Sequence, residues 1–499
     1  MGGFPREAAR SEQVACHTGH VASKIPRILW VVPPLAYLVY FFDLSAAGLL
    51  GPDEPRYAAI AREMARSGDW VTPRLWGQPW FEKPALLYWM SGAGFRLGLG
   101  PELAPRLPGA LLAVGFLTFY WFVLRREFGQ GVAWMATLIL GTSGFWVGYS
   151  QNGVTDIPLA ATYSAAMLLA MPWVAKRDTR YLPQSAAMFG FAVLAKGLVP
   201  LALAAPLVMG WHVRDWLRWR VVLPFFAVAL PWYALCYWRN GWGFIHDFIV
   251  VHHFSRLTSD ALMHQRPWWF YLPMLAAGLL PWSPLLGLAA RRSGWDDRRR
   301  MFLGVWALTV LVLFSIPINK LPGYILPLMP AAAALMALGL EEVRNARWWL
   351  AACAGLLLAF PIAAAVLPAA VRTGLTQASR PGFQPVWLAA AGFAVLAWWL
   401  ETRGRRLAAV AAVAAGAALG TGYLKAVATP ELDRSVSARG VWRQIEQRAE
   451  DVCLGDVKRN WEYGLNYYSI TPLPKCEQDP RRLRVVRAPN DRVVIEPIP

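Results

Sequence analysis

Apolar runs of about 20 residues recur from Arg27 to Lys425, separated by short loops rich in arginine. Each run is long enough to cross a hydrocarbon layer of ~30 Å, and no compact water-soluble core accommodates so many. Only 16% of the residues are charged, against about a quarter in an ordinary soluble domain. The net charge of +18 suggests nucleic acid at first sight. The basic residues sit in short inter-span loops, however, where they set orientation, so no nucleic-acid partner is expected. The reading is an all-α polytopic membrane protein of about 13 transmembrane helices, with the N-terminus inside and the C-terminus outside.

Three regions follow: a cytoplasmic segment over 1–27, a transmembrane domain over 28–425, and a small polar domain over 426–499. The first apolar run, 28–50, lacks a small-residue cleavage pattern and reads as a retained span. In the last region, 441–450 reads as a short helix and 452–455, 483–486 and 493–495 as strands, giving a small α/β unit outside the membrane. Of the five cysteines, none forms a metal-type cluster. Cys453 and Cys476 share the polar domain and could pair in an oxidising compartment, a bond of roughly 3 kcal/mol.

The long first outer loop, 51–105, is dense in charge and aromatic rings. Tyr57, Ile60, Ala61 and Met64 recur at helical spacing while Arg56, Arg62, Glu63 and Arg66 take other faces, as in a helix lying in the membrane interface. Ser67-Gly68-Asp69 ends it. Trp70, Trp76, Trp80 and Trp89 match a headgroup-level aromatic belt, and 85–99 reads as a second interfacial helix. The alternation of loops places this segment, Asp156, Lys196, a histidine-containing loop over 239–267, Lys320 and Tyr324 on one outer face.

Each polar group on that face has a bland reading and a chemical one. Asp53, just before Pro55, suits a helix N-cap; it also suits a carboxylate that activates a hydroxyl or steadies a cationic transition state. Asp156 opens a span after Thr155 as a cap, or pairs with Asp53 in glycosyl chemistry. Arg56, Lys83, Lys196 and Lys320 either snorkel to headgroups or form a phosphate site. Glu82 with His253 or His264 suits a divalent metal such as zinc or manganese, although a lone loop histidine is usually only polar. Tyr324 marks a Pro-rich span boundary, or a phenol that hydrogen-bonds phosphate or sugar.

Four motifs together resemble one family: Asp53-Glu54-x-Arg56-Tyr57, Gly68-Asp69-Trp70, Phe81-Glu82-Lys83-Pro84 and Lys320-Leu321-Pro322-x-Tyr324-Ile325-Leu326-Pro327. They resemble the bacterial aminoarabinose transferases that modify lipid A and, more broadly, the GT-C glycosyltransferases, which include the protein O-mannosyltransferases. The resemblance implies a GT-C fold and transfer of a sugar from a polyprenyl monophosphate such as undecaprenyl phosphate to a lipid A-like acceptor. The site would face the periplasm from the bacterial inner membrane. It implies Asp53 and Asp156 as the essential carboxylates, and Arg56, Lys83 and Lys196 at the carrier phosphate with Tyr324 nearby. It also implies a metal site (zinc, magnesium or manganese) at Glu82 with His253 first and His264 second. No nucleotide cofactor is expected, and a monomer is. Transfer to protein hydroxyls and lipid-linked sugar flipping are the alternatives. Flippases place their polar groups near the membrane midplane, unlike the one-sided crowding here.

Overall fold

The computed structural model describes residues 32–210, 212–255, 265–291, 294–374, 378, 381–488 and 493–498, excluding the side chains of 252–255. Among the described residues, the first apolar run contains helix α1 (Val32–Tyr40), after which the chain turns. Lys425 donates to the carbonyls of Val39 and Phe42, both at 2.9 Å, satisfying oxygens that a helix end leaves open. The outer loop then folds as helix α2 (Asp53–Ser67), a two-stranded hairpin of β1 (Arg74–Leu75) and β2 (Gln78–Pro79), and helix α3 (Leu86–Arg96). Gly68 closes α2 at a positive φ of 75°, its N–H reaching the carbonyl of Met64, the stop expected from the sequence.

The bundle continues with α4 (Leu103–Phe128), α5 (Gln130–Gly141), α6 (Gly144–Ser150), α7 (Asp156–Lys176) and α8 (Leu182–Lys196). Next come α9 (Trp219–Val251), α10 (Arg298–Ser315), α11 (Pro322–Glu342), α12 (Arg347–Thr373), α13 (Pro385–Thr402) and α14 (Arg406–Val436). Helix α7 is fully enclosed and packs against α4, α8 and α10; it is the axis of the core. Among the described residues seven helices are long and apolar enough to cross a membrane, or eight if α5 and α6, bent by 59°, form one span. Other runs read from the sequence as spans are shorter or broken. The stretch after Pro267 is divided into Trp268–Phe270, Tyr271–Gly278, Ser283–Leu285 and Leu286–Ala289. Pro281 and Pro284 fall at the break after Gly278, where proline withholds the donors a continuing helix needs.

The two ends of the bundle differ as the loop charges suggested. At one end Arg126 lies 4.4 Å from the ring of Tyr181, Arg299 reaches the carbonyl of Glu127, and Arg406 donates to the carbonyl of Leu340 at 2.7 Å. The other end carries the outer loop and the polar domain. That domain contains α15 (Ala438–Ile445), β3 (Val452–Leu454), α16 (Arg459–Ser469), β4 (Leu483–Arg487) and β5 (Val493–Pro497). Its sheet runs β3-β4-β5, with β3 parallel to β4 and β4 antiparallel to β5. The three strands were legible in the sequence; α16 was not. Cys453 and Cys476 are disulfide-bonded.

Helix α2 does not lie free in an interface. Its first three turns are almost wholly buried, Glu54 and Arg56 included, between the bundle and α16. One network fixes it. Arg106 of α4 donates to both oxygens of Glu54, at 2.7 and 2.9 Å. The same guanidinium reaches the carbonyls of Leu44, Ala47 and Gly48 at 3.1, 2.7 and 3.0 Å. Glu54 accepts in turn from the amides of Leu50 at 2.8 Å and Gly153 at 2.9 Å. All five donors of the guanidinium are engaged, the condition under which a buried ion pair is tolerated.

The polar domain docks on the same loop. Asp433 accepts from the Gly48 amide at 2.8 Å, and the Tyr468 hydroxyl from Leu49 at 3.1 Å. A Cβ at Gly48 would meet Ser437 Oγ at 2.1 Å, so only glycine permits this approach. Removing one partner of the Glu54–Arg106 pair, by Glu54→Ala or Arg106→Ala, is expected to cost roughly 3–5 kcal/mol. Thermal melts of the purified protein check this. The double change Glu54→Met/Arg106→Met is expected to recover part of the loss, because no unpaired charge is left inside.

Candidate active site

Five separate stretches meet at the end of the bundle that bears the outer loop. Asp53 is the first residue of α2, but Pro52 holds the cap position and no side chain caps the helix. The expected capping role is therefore corrected. The Asp53 carboxylate instead accepts from Arg56 at 2.5 Å, one turn on. Thr155 likewise precedes α7 without a side-chain cap, and Asp156 turns to Lys196 at the end of α8, at 2.7 Å. In both cases a buried or half-buried cation competes for the carboxylate more strongly than a neutral amide does.

The first half of the site is a chain of alternating charge. Arg56 pairs with Asp53 and, at 3.0 Å, with Glu82, which lies 3.4 Å from Lys83. The side chains of Arg56 and Glu82 are 5% and 4% exposed, whereas that of Asp53 is 44% exposed. The guanidinium is also caged by the rings of Tyr57, Trp80 and Tyr463, at 5.3, 5.7 and 5.4 Å, each a cation–π contact. Burial by itself would lower the Arg56 pKa, but Glu82, Tyr57 and Asp53 together raise it above the usual arginine value. It is a permanent cation. Burial foremost, then Glu82, holds the phenols of Tyr57 and Tyr88 well above their ordinary pKa, so both stay neutral.

The second half is Asp156, Lys196 and Tyr324. The Lys196 ammonium sits 4.9 Å from the Tyr324 ring centroid, and Asp53 is close enough to act on Lys196 electrostatically, which joins the halves. Tyr324 is positioned by the turn that opens α11. There Gly323 packs on Tyr149, whose ring a Cβ would meet at 2.6 Å. The Leu321 carbonyl accepts from Tyr271 at 3.1 Å.

Asp53, Arg56, Glu82, Lys83, Asp156, Lys196 and Tyr324 are thus brought together. Lys320 is directed elsewhere: it is buried and donates to the carbonyls of Arg266 and Pro317. His264 and the side chain of His253 lie outside the described residues. Among the described residues no three His, Cys, Asp or Glu converge as metal ligands. Glu82, its charge matched by two cations, does not complete a set there.

Three contributors, Arg106, Tyr88 and Tyr463, were not read from the sequence. Arg106 opens a span, and a charge so placed is itself a signal. Tyr463 lies in the unrecognised α16, where nothing local marks it. The Arg56 Nε and the Tyr88 hydroxyl are buried without a hydrogen-bond partner. Such unsatisfied donors are uncommon in a folded protein and suit an incoming anion. Cations and neutral donors beside an exposed carboxylate are the parts needed to hold a phosphate leaving group and activate an acceptor.

Comparison with known proteins points the same way. The family model described as dolichyl-phosphate-mannose-protein mannosyltransferase matches residues 82–238. The undecaprenyl phosphate-alpha-4-amino-4-deoxy-L-arabinose arabinosyl transferase of Edwardsiella ictaluri is 33% identical over 329 residues, covering 61% of this chain and 57% of the relative. That of Pseudomonas aeruginosa strain LESB58 is 33% identical over 328 residues, covering 61% and 58%. The matches therefore span less than two thirds of these relatives' length. Over the whole fold, ArnT from Cupriavidus metallidurans bound to undecaprenyl phosphate superposes with a TM-score of 0.75 at 28% identity, covering 93% of this chain and 97% of that one. Its apo form gives 0.74 at 26%, covering 94% and 98%. This multi-pass membrane protein shares its whole fold with ArnT and is similar in sequence to the aminoarabinose transferases.

Proposed function

We propose that this protein transfers a sugar, with inversion, from a polyprenyl monophosphate of the undecaprenyl type to a lipid A-like acceptor at the outer face of the inner membrane. The observation that carries the reading is the charge arrangement: Asp53, Glu82 and Asp156 face Arg56, Lys83 and Lys196 at one end of the bundle. The resting cluster is formally neutral. A carrier phosphate adds negative charge, so it must take cations from the carboxylates that hold them. Asp53 is the most exposed of the three acids, and its recorded bond is to Arg56. A phosphate drawn to Arg56 releases it.

The chemistry then balances simply. A nucleophilic oxygen of the acceptor attacks the anomeric carbon, the bond from that carbon to the carrier oxygen breaks, and the carrier leaves as its phosphate. Arg56, Lys83 and Lys196 stabilise the developing charge on the leaving group. For a hydroxyl acceptor Asp53 takes the proton; for a phosphate acceptor no proton needs removal and Asp53 steadies positive charge on the ring.

The Cys453–Cys476 disulfide supports a periplasmic site, because such bonds persist in oxidising compartments and its domain packs on the site loop. A divalent ion (zinc, magnesium or manganese) held by Glu82 with His253 or His264 belongs to the proposal on donor chemistry alone; metal content of the purified protein checks it. The family model over 82–238 favours one second reading, transfer to protein hydroxyls, which the same assay with a peptide acceptor distinguishes.

Asp53→Asn is expected to lower transfer by roughly 10²–10⁴-fold, measured as carrier phosphate released from a synthetic polyprenyl-phosphate sugar. Undiminished turnover would refute the catalytic role. Lys196→Met is expected to weaken donor use about tenfold, the equivalent of about 1.4 kcal/mol. Lys196→Arg should recover part of it by restoring the charge beside Asp156. Equal donor KM values for all three proteins would remove Lys196 from the phosphate site.

A further inference from the structure

A cavity lies further along α2 from the charge cluster, on the side that meets the polar domain. Its volume is about 290 Å³, and its lining includes Arg62, Glu63, Arg66, Trp76, Ile470 and Pro472. We propose that this cleft binds the phosphate-bearing headgroup of the glycolipid acceptor, an assignment that rests on the transferase reading above.

Charge is the first argument. Arg62 and Arg66 are four residues apart on one helix and line the same cleft, where like charges repel. Burial, and in smaller part Arg66, hold the Arg62 pKa below the usual arginine value. Glu63, held by the Gly77 amide at 3.0 and 3.4 Å, offsets only one of the two charges, so the cleft keeps a net positive charge. Arg62 donates one Nη2 bond to the Tyr467 carbonyl at 2.6 Å and lies 4.2 Å over the Tyr467 ring; no acid pairs with it among the described residues. No acid pairs with Arg66 among the described residues. An anion seated between the two guanidiniums relieves their repulsion.

Backbone strain is the second argument. Asp43, Trp76, Arg177 and Ile470 are the non-glycine residues with positive φ among those described, and two of them line this cleft. Trp76 and Gly77 are the central pair of the β1–β2 hairpin, with φ of 53° and 80°. A tight two-residue turn of this sign favours asparagine before glycine, yet tryptophan stands there. Ile470 is β-branched at φ 68°, an outlier for that side chain. Such strain persists where the surrounding structure imposes it, and it collects at ligand sites.

The walls are held on both sides. Ile470–Pro472 lies between α16 and the disulfide at Cys476. Trp76 stacks on Tyr463 at 5.7 Å, and Tyr463 covers Arg56. The cleft and the charge cluster therefore share one aromatic partition. Arg62 follows Asp53 by nine positions, about 13 Å along the helix axis. A ligand spanning both must be extended, with its reacting group at one end and an anion at the other. That describes a phosphorylated sugar headgroup and not free phosphate.

The test uses the full-length protein in phosphatidylcholine nanodiscs and measures equilibrium binding of lipid A, of undecaprenyl phosphate and of inorganic phosphate. Arg66 is exposed near the end of α2, and a thermal melt controls for folding. Arg66→Glu is expected to weaken lipid A binding at least tenfold and leave undecaprenyl phosphate binding unchanged, with Arg66→Lys close to wild type. Undiminished lipid A binding by Arg66→Glu overturns the proposal, as does an equal loss of carrier binding. Saturation by inorganic phosphate as tight as by lipid A overturns the headgroup assignment. Wild-type protein that binds both lipids but transfers no sugar refutes the transferase reading and leaves the cleft standing.

Discussion

The buried Glu54–Arg106 pair is the joint on which the active end of this molecule depends. It ties four pieces of chain that are remote in sequence: the turn after α1, the first turn of α2, the start of α4 and the loop before α7. Glu54 is the neighbour of Asp53, and Gly153, whose amide it accepts, lies three residues before Asp156. One carboxylate thus sets the spacing between the two candidate catalytic acids. A hydrophobic contact in this place would fill space equally well, but it would not fix direction. Arg106 offers planar donors on several sides, and each finds an acceptor. That combination specifies one geometry, the best-attested use of a buried polar group.

The charged site built on that joint solves a storage problem. Three cations held close together without substrate would repel one another and resist desolvation. Pairing each with a carboxylate removes that penalty, at the cost of occupying the groups needed for phosphate. The exposures of the acids suggest the order in which they yield. Glu82 is enclosed with Arg56, while Asp53 is open to solvent on one side. On the proposed transferase reading, the acid given up first is the one placed to act on the acceptor, so carrier binding and base activation become one event. Aromatic rings around Arg56 hold its charge in place while its partner changes, because a ring face attracts a cation without competing as a carboxylate does.

Much of this could be read before any coordinates, for reasons specific to each feature. The charged first loop, Asp156, Lys196 and Tyr324 stand out because nearly everything around them is hydrocarbon, and loop alternation places them on one face. The stop at Gly68 and the three strands of the polar domain follow from local backbone chemistry. Partner choice was not legible. Asp53 and Asp156 sit where caps belong, and only the fold shows Arg56 and Lys196 claiming them. Lys320 has the same local signature as Lys196 yet ends among backbone carbonyls, since the direction of a side chain at a span end is set by its neighbours in space. The number of spans was equally hard to fix, because proline-broken runs such as 268–289 keep an apolar composition while losing helical continuity.

The polar domain is the part whose role the sequence hid most fully. Helix α16 buries Trp461, Gly464 and Leu465 along one face, a short period not read from the sequence, and its role emerges only when its tyrosines are seen against α2. Tyr463 covers Arg56, Tyr467 takes a bond from Arg62, and the Tyr468 hydroxyl accepts from Leu49. Each touches the outer loop rather than only the domain's own core. A domain attached merely for anchoring would not need to place one aromatic ring over the central cation of the site and another beside the arginine of the neighbouring cleft. Its disulfide and its sheet hold α16 and the Ile470–Pro472 segment as one unit, and the strained backbone at Ile470 is sustained by that unit. The candidate active end is therefore composite: the bundle supplies Asp156, Lys196 and Tyr324, the outer loop supplies Asp53, Arg56, Glu82 and Lys83, and the polar domain supplies the aromatic wall between the charge cluster and the neighbouring cleft.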